Sequence, residues 1–147
     1  MMTIESCGLD KKRIEELITA AKKARSYAYA PYSGYLVGAA LLTGEDEIIT
    51  GCNIENAAYG PSNCAERTAF FKAVSEGKSD FAAIAIVGGA KESEGEYAAP
   101  CGVCRQVMRE FCDPDTFLVI AAKDETAYKL FSLTELVPEA FGPDNLG

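Results

Sequence analysis

The sequence predicts a three-layer α/β/α fold, in which helices cover both faces of a mixed five-stranded sheet. Hydrophobic periodicity changes along the chain in the order helix, two strands, helix, strand, helix, two strands. Residues 81–88 form a nearly continuous apolar run, which is typical of a central strand buried on both faces. About five residues separate the last two strands, whereas a parallel crossover needs about a dozen, so this pair is expected to be antiparallel.

Local signals give the boundaries of the elements. Asp10 is the predicted N-cap of the first helix, and Pro31 ends that helix because the residue before a proline disfavours the helical conformation. The small residues at 38–40 indicate that another element packs closely against the first strand. The predicted elements are a helix over 11–28, strands over 35–43 and 47–53, a helix over 64–76, a strand over 81–88, a helix over 101–111, strands over 117–122 and 128–131, and a short helix over 133–137.

The composition limits the classes of function. The length predicts one domain, residues 1–147, and 48% of the chain is hydrophobic, which is enough for a core. A net charge of −8 argues against binding long nucleic acids, whose phosphates attract lysine and arginine. The start of the chain lacks the basic and apolar regions of a signal peptide, and no apolar run is long enough to span a membrane. We therefore expect a cytoplasmic protein that binds no membrane.

Two short motifs carry the chemistry. A Cys-Ala-Glu motif at 64–66 places a thiol two residues before a carboxylate, and a Pro-Cys-X-X-Cys motif at 100–104 places two thiols three residues apart. Three thiolates can bind one Zn²⁺ and leave a fourth position for water, as in a catalytic zinc site, and a neighbouring carboxylate can move the protons of that water. The chain has no histidine, so the metal ligands and the acid/base group must be cysteine and carboxylate side chains. The candidate ligands are Cys64, Cys101 and Cys104.

Each motif also has a simpler interpretation. Asn63 and Glu66 have the spacing of a capping box at the start of a helix. The two thiols at 101 and 104 fit a redox pair, or part of a non-catalytic zinc site with Cys112 as the fourth ligand. Three cysteines have no assigned chemistry and are expected to act as buried small apolar residues: Cys7, Cys52 and Cys112.

Together, the motifs resemble those of the zinc-dependent nucleoside and nucleobase deaminases, whose signature is His-X-Glu followed by Pro-Cys-X-X-Cys. Here Cys64 stands in place of the histidine, which resembles the small all-cysteine cytidine deaminases that act on free nucleosides. Other segments match that family in the same order, so the resemblance covers nearly the whole chain. They are residues 31–33, 37–40, 53–56, 64–67, 100–106 and 136–141.

This resemblance implies hydrolytic deamination of cytidine and 2′-deoxycytidine to uridine and 2′-deoxyuridine with release of ammonia, as in pyrimidine salvage. It implies one Zn²⁺ per chain and no organic cofactor. Glu66 is then the catalytic residue, which takes a proton from the attacking water, delivers it to N3 and later carries a second proton to the amino group that departs as ammonia.

The end of the second strand is a candidate sugar site. Asn53 and Glu55 lie on one side of the chain and Ile54 on the other, because side chains alternate along a strand. An amide beside a carboxylate suits sugar hydroxyl groups, and the same pattern also fits a solvated strand end. The resemblance assigns both residues to the ribose. It adds Ala65 and Tyr35 as substrate contacts, with Tyr35 standing where the family usually has phenylalanine.

The proposed centre makes two structural demands. Residues two apart on a helix, at about 100° each, point in roughly opposite directions, so Cys64 and Glu66 share a site only if Cys64 lies at the irregular helix start. Three thiolates and Zn²⁺ sum to −1, so a compensating cation is expected, with Arg67 as the first candidate and Arg105 as the second.

The resemblance also implies a homotetramer in which subunits complete each other's active sites, with Phe141 and Tyr59 as the candidate residues. The nearest alternative is a related deaminase of another substrate, such as blasticidin S. A deaminase that edits nucleic acids fits the acidic charge poorly. A thiol redox protein would leave Cys64 and Glu66 without a role.

Overall fold

A computed structural model of residues 1–147 contains a five-stranded sheet, four α-helices and one 3₁₀-helix. The element order is the predicted one, and the 3₁₀-helix near the C-terminus was not predicted. The elements are α1 (Lys11–Arg25), β1 (Gly38–Thr43), β2 (Ile48–Cys52), α2 (Ala65–Ser75), β3 (Phe81–Val87), α3 (Gly102–Phe111), β4 (Leu118–Asp124), β5 (Ala127–Ser132), α4 (Leu133–Leu136) and the 3₁₀-helix (Pro143–Leu146).

The sheet has the strand order β2-β1-β3-β4-β5. β1 pairs antiparallel with both β2 and β3, β3 pairs parallel with β4, and β4 pairs antiparallel with β5. The mixed sheet and the antiparallel final pair are therefore confirmed. β2 and β3 point the same way, as the crossover through α2 requires, but β1 lies between them.

The first helix begins as predicted and ends early. The Asp10 carboxylate accepts a hydrogen bond from the Arg13 backbone N–H at 2.8 Å, which is the contact expected of an N-cap. The prediction that the helix continues to residue 28 was wrong. Tyr29 instead pairs with Ile54 in a parallel bridge, and its N–H donates to the Asn53 carbonyl at 2.9 Å. Leaving the helix allows the chain to make this pairing.

The helices form two layers on the sheet. α1 covers one face, while α2, α3 and α4 cover the other, where four phenylalanines from helices and strands pack together. A β-carbon on Gly38 would collide with the Ala21 carbonyl oxygen of α1, so the close packing predicted at residues 38–40 is present. Cys7 and Cys112 are buried in the two cores, as expected, whereas Cys52 is half-buried. None of the helices is long and apolar enough to cross a membrane.

Candidate active site and metal centre

The three predicted ligands lie together at the starts of two helices. Cys64 is the N-cap of α2 and Cys101 is the N-cap of α3, both in extended backbone conformation, and Cys104 lies in the first turn of α3. Their sulfur atoms all lie within 4.8 Å of one another, and the Cys64 and Cys101 sulfurs are 3.9 Å apart. Cys64 thus occupies the irregular position that a site shared with Glu66 requires.

The sulfur cluster fits a zinc ion. Thiolates bound to tetrahedral zinc at about 2.3 Å lie roughly 3.8 Å apart, close to the separation of the Cys64 and Cys101 sulfurs. Cys112, the candidate fourth ligand of a non-catalytic site, is buried in the hydrophobic core and is not a member of the cluster. The three cysteines can therefore provide three of the four ligands of a tetrahedral site, which is the pattern of a catalytic zinc.

Glu66 is a buried carboxyl group beside these sulfurs. It is 5% exposed and lies at the second position of α2. Burial is the main cause that raises the pKa of Glu66 to about 7, and the neighbouring Cys64 sulfur adds to the shift. The capping-box interpretation is wrong, because the N-cap is Cys64 rather than Asn63, and the Asn63 side-chain amide donates to the Thr68 hydroxyl at 3.3 Å.

Arg67 supplies the expected positive charge. Its guanidinium donates to the Cys64 sulfur at 3.2 Å, whereas Arg105 donates to the carbonyls of Pro100 and Leu136 at 2.7 and 2.6 Å. Burial disfavours the Arg67 cation, but its hydrogen bonds to Cys64 and Cys104 outweigh that effect and raise its pKa. A hydrogen bond with Cys104, helped by Arg67, lowers the pKa of Cys64 to about 5. The site therefore favours a thiolate at Cys64.

A cavity of about 770 Å³ opens over the cluster, which is within the usual size range of small-molecule sites. Its walls bring together most of the residues singled out in the sequence: Tyr35, Asn53, Glu55, Tyr59, Cys64, Ala65, Glu66, Arg67 and Cys101. Tyr59 therefore belongs to the cavity of its own chain, at an exposed position. Phe141 does not line this cavity and is 60% exposed.

Glu55 is held in place by the turn at residues 31–34, through contacts that were not predicted from the sequence. The Ser33 hydroxyl and the backbone N–H groups of Tyr32 and Ser33 donate to its carboxylate. The Ser33 hydroxyl also accepts from the Tyr35 N–H at 3.0 Å. The hydrogen bonds from Ser33 lower the pKa of Glu55, so this carboxylate is ionised and fixed at the cavity wall. Serine in a proline-containing turn is the sequence signal for such contacts.

Asn53 connects the sugar-side residues to the Tyr35 segment. Its side-chain oxygen accepts from the Val37 N–H and its amide donates to the Tyr35 carbonyl, both at 2.8 Å. One amide hydrogen and one oxygen lone pair of Asn53 remain for a ligand. β1 begins at Gly38 rather than at residue 35. The segment before it makes only isolated backbone contacts, such as the bridge between Tyr35 and Ala90, and the Asn53 side chain satisfies the Val37 N–H and the Tyr35 carbonyl. Tyr35 packs over Gly88, where a β-carbon would lie 2.6 Å from the tyrosine oxygen.

Comparisons with known proteins agree with this site. The sequence model for the "Cytidine and deoxycytidylate deaminase zinc-binding region" matches residues 11–120. A cytidine deaminase of Sporosarcina psychrophila is 47% identical over 90% of this chain and 94% of its own. The crystal structure of a cytidine deaminase from Burkholderia pseudomallei has 48% identity and a TM-score of 0.77, covering 86% of this chain and 97% of its own. The corresponding structure from Mycobacterium tuberculosis has 36% identity and a TM-score of 0.74, with 86% and 95% covered. The chain therefore belongs to the zinc-binding cytidine and deoxycytidylate deaminase family.

Proposed function

We propose that this protein hydrolyses the 4-amino group of cytidine and 2′-deoxycytidine, with one zinc ion per chain, in pyrimidine salvage. The observation that carries the proposal is the buried carboxyl group of Glu66 beside a cluster of three cysteine sulfurs in the wall of the cavity. The relatives named cytidine deaminase support the choice of substrate. Single-domain organisation over residues 1–147 is part of the proposal.

Each group in the cavity has a separate role in the proposed reaction. Zinc, when bound by the three cysteines, supplies a Lewis acid that lowers the pKa of a water molecule. Glu66 accepts a proton from the attacking water and delivers it to N3 of the pyrimidine as the water oxygen bonds to C4. Glu66 then transfers the second proton to the amino group, the C4–N bond breaks, and ammonia leaves. Arg67 offsets the negative charge of the thiolates.

The charge of the cavity favours a nucleoside over a nucleotide. Arg67 is the one cationic side chain in the wall, and it is already bonded to the Cys64 sulfur. The wall also carries the ionised carboxylate of Glu55. A 5′-phosphate would therefore meet negative charge without a cation to pair with it, which is costly in a partly enclosed site.

Zinc analysis combined with the loss of cytidine absorbance tests the proposal on the purified protein. We expect one zinc per chain and faster turnover of cytidine and 2′-deoxycytidine than of deoxycytidylate, free cytosine or blasticidin S. Zinc-loaded protein that leaves cytidine unchanged would contradict the function. Preferential turnover of blasticidin S would show that the proposed substrate is wrong, although the hydrolytic deamination would stand.

Glu55→Gln is expected to raise the KM for cytidine by roughly tenfold and to leave the zinc content unchanged. The amide loses the charge that strengthens hydrogen bonds to sugar hydroxyl groups, and tenfold corresponds to about 1.4 kcal/mol. Steady-state kinetics with cytidine and free cytosine measure the effect. Turnover of free cytosine should not change, because cytosine lacks the ribose that Glu55 is proposed to bind.

The matched control for this substitution is Glu125→Gln. Glu125 binds Lys22 and Thr19, away from the cavity. Its removal should leave the KM for cytidine at the wild-type value. A Glu55→Gln variant with an unchanged KM would mean that the carboxylate does not hold the sugar.

Assembly into a homotetramer is a further part of the proposal. α2 and α3 lie on one face of the sheet and expose apolar side chains, among them Phe71, Val74 and Val103. The C-terminal segment is fixed to α3, because the Gln106 amide donates to the Phe141 carbonyl at 2.9 Å and Arg109 pairs with Asp144 at 2.6 Å. The Phe141 side chain is therefore exposed on an anchored segment, from which it can reach the cavity of a second copy.

Phe141→Ala is expected to raise the KM for cytidine several-fold without changing the oligomeric state. The reason is loss of an aromatic contact that a neighbouring subunit supplies, and such contacts contribute about 0.5–1.5 kcal/mol beyond area burial. Kinetics and light scattering on the same sample measure both quantities. Leu146→Ala, in the same segment and even more exposed to solvent, is the control. A monomer with wild-type kinetics would refute the shared site.

A further inference from the structure

The side chain of Arg25 crosslinks three segments that are distant in sequence. It belongs to the last residue of α1, and its guanidinium donates to the Leu36 carbonyl at 3.2 Å, to the Gly89 carbonyl at 3.0 Å and to the Ala90 carbonyl at 2.6 Å. It also reaches the carbonyl and hydroxyl of Ser93, both at 3.2 Å. None of its partners is a carboxylate. Its donors therefore organise backbone rather than neutralise charge.

Both segments that Arg25 binds adjoin residues that line the cavity. Leu36 lies between Tyr35 and Val37, which line the cavity, and its N–H donates to the Gly89 carbonyl at 2.9 Å. Gly88, which lies under the Tyr35 ring, starts the loop that Arg25 holds. The Tyr35 side chain thus rests on a loop whose position depends on the Arg25 guanidinium.

The same loop leads to a second part of the wall, beside Tyr35, because a β-carbon on Gly88 would touch both the Tyr35 and the Ala98 side chains. Gly88 and Glu96 exchange two backbone hydrogen bonds, at 3.0 and 2.7 Å, which close the loop on itself. The chain then continues through residues 97–99, which line the cavity, to the zinc ligand Cys101. A shift of the loop would therefore move the wall residues 35 and 97–99 together, while the helix starts that carry the sulfurs lie beyond it.

We propose that Arg25 is a positioning residue that sets the substrate-facing wall of the cavity through the Leu36 and Gly89–Ser93 backbone. This inference rests on the proposed cytidine deaminase function of the cavity. Arginine suits the task because its planar guanidinium offers five donors in a fixed geometry, whereas lysine offers a single ammonium group on a flexible stem. The wall contacts substrate before and during the reaction, so its loss weakens binding more than it slows chemistry.

The test measures KM, kcat and the inhibition constant of uridine for Arg25→Met, which keeps the aliphatic stem. We expect KM and the uridine constant to rise together by about tenfold, with kcat within about threefold of wild type and the zinc content unchanged. A purely structural role would lower the melting temperature and the amount of active protein without separating KM from kcat.

Two further variants make the result decisive. Arg13 lies on the same helix and binds Glu16 and Asp46, away from the cavity. The Arg13→Met variant should therefore have wild-type kinetics. Arg25→Lys keeps the charge and tests the wall if Arg25→Met does not fold; its KM should also rise. A wild-type KM for either Arg25 variant, or a fall in kcat alone, would overturn the inference. Failure of wild-type protein to use cytidine would instead refute the proposed function.

Discussion

Cys104→Ala is expected to lower the zinc content from one per chain to nearly zero and to abolish deamination. Cys104 is 1% exposed, and its sulfur lies within 4.8 Å of the Cys64 and Cys101 sulfurs. Without it only two protein ligands remain, whereas catalytic zinc sites usually have three. Metal binding also contributes free energy to folding, so the variant should unfold at a lower temperature. Elemental analysis after gel filtration, cytidine turnover and thermal unfolding measure the three effects.

The matched control for Cys104→Ala is Cys112→Ala. Cys112 is also buried, but it lies in the core with the phenylalanines of α2 and α3 rather than in the sulfur cluster. This variant should lose some stability through packing and keep its zinc and activity. Full zinc retention in Cys104→Ala would refute the ligand assignment. Loss of zinc in Cys112→Ala would bring back the non-catalytic site with four cysteines.

The fold could be predicted well from the sequence because helices and strands leave local patterns in it. Strands and helices were recognised from the periodicity of apolar residues, which depends on neighbours a few positions away. The place of β1 between β2 and β3 depends on pairings across the sheet and was not predicted. The structure shows the result: every residue of β1 is buried, as in a central strand, while β2 alternates between buried and half-buried residues, as in an edge strand.

The centre of the site, including Arg67 beside the sulfurs, was predicted, whereas the residues that hold the cavity walls were not. Cys64, Cys101 and Cys104 stand in two compact motifs, and the helix starts bring them together. Ser33 and Arg25 act through hydrogen bonds to segments up to 68 positions away, and such contacts leave no periodic pattern in a sequence. The additional work of Asn53 in holding the Tyr35 segment was missed for the same reason.

Glu66 had two interpretations in the sequence that predict opposite effects of a single substitution. In a capping box, glutamine replaces glutamate at little cost because both side chains can accept a hydrogen bond from the N-cap amide. The structure contains such a box elsewhere, where Ser132 and Glu135 cap α4 reciprocally. Glu66 makes no such contact and is buried beside the sulfurs. The same Glu→Gln change can therefore be made at both kinds of position in one protein.

Glu66→Gln is expected to fold, retain one zinc per chain and lose at least about 10²–10⁴-fold in kcat for cytidine. An amide neither accepts the proton of the attacking water nor delivers it to N3, and one residue serves both transfers, so the loss should reach or exceed that range. Uridine should still bind, because Asn53 and Glu55 remain in the cavity wall. Glu135→Gln, at the true capping box, should keep wild-type turnover. Zinc content, melting temperature, uridine binding and turnover of both variants provide the measurement. Near-normal turnover by zinc-loaded Glu66→Gln would show that another group carries the protons, since the substitution removes the carboxylate and little else.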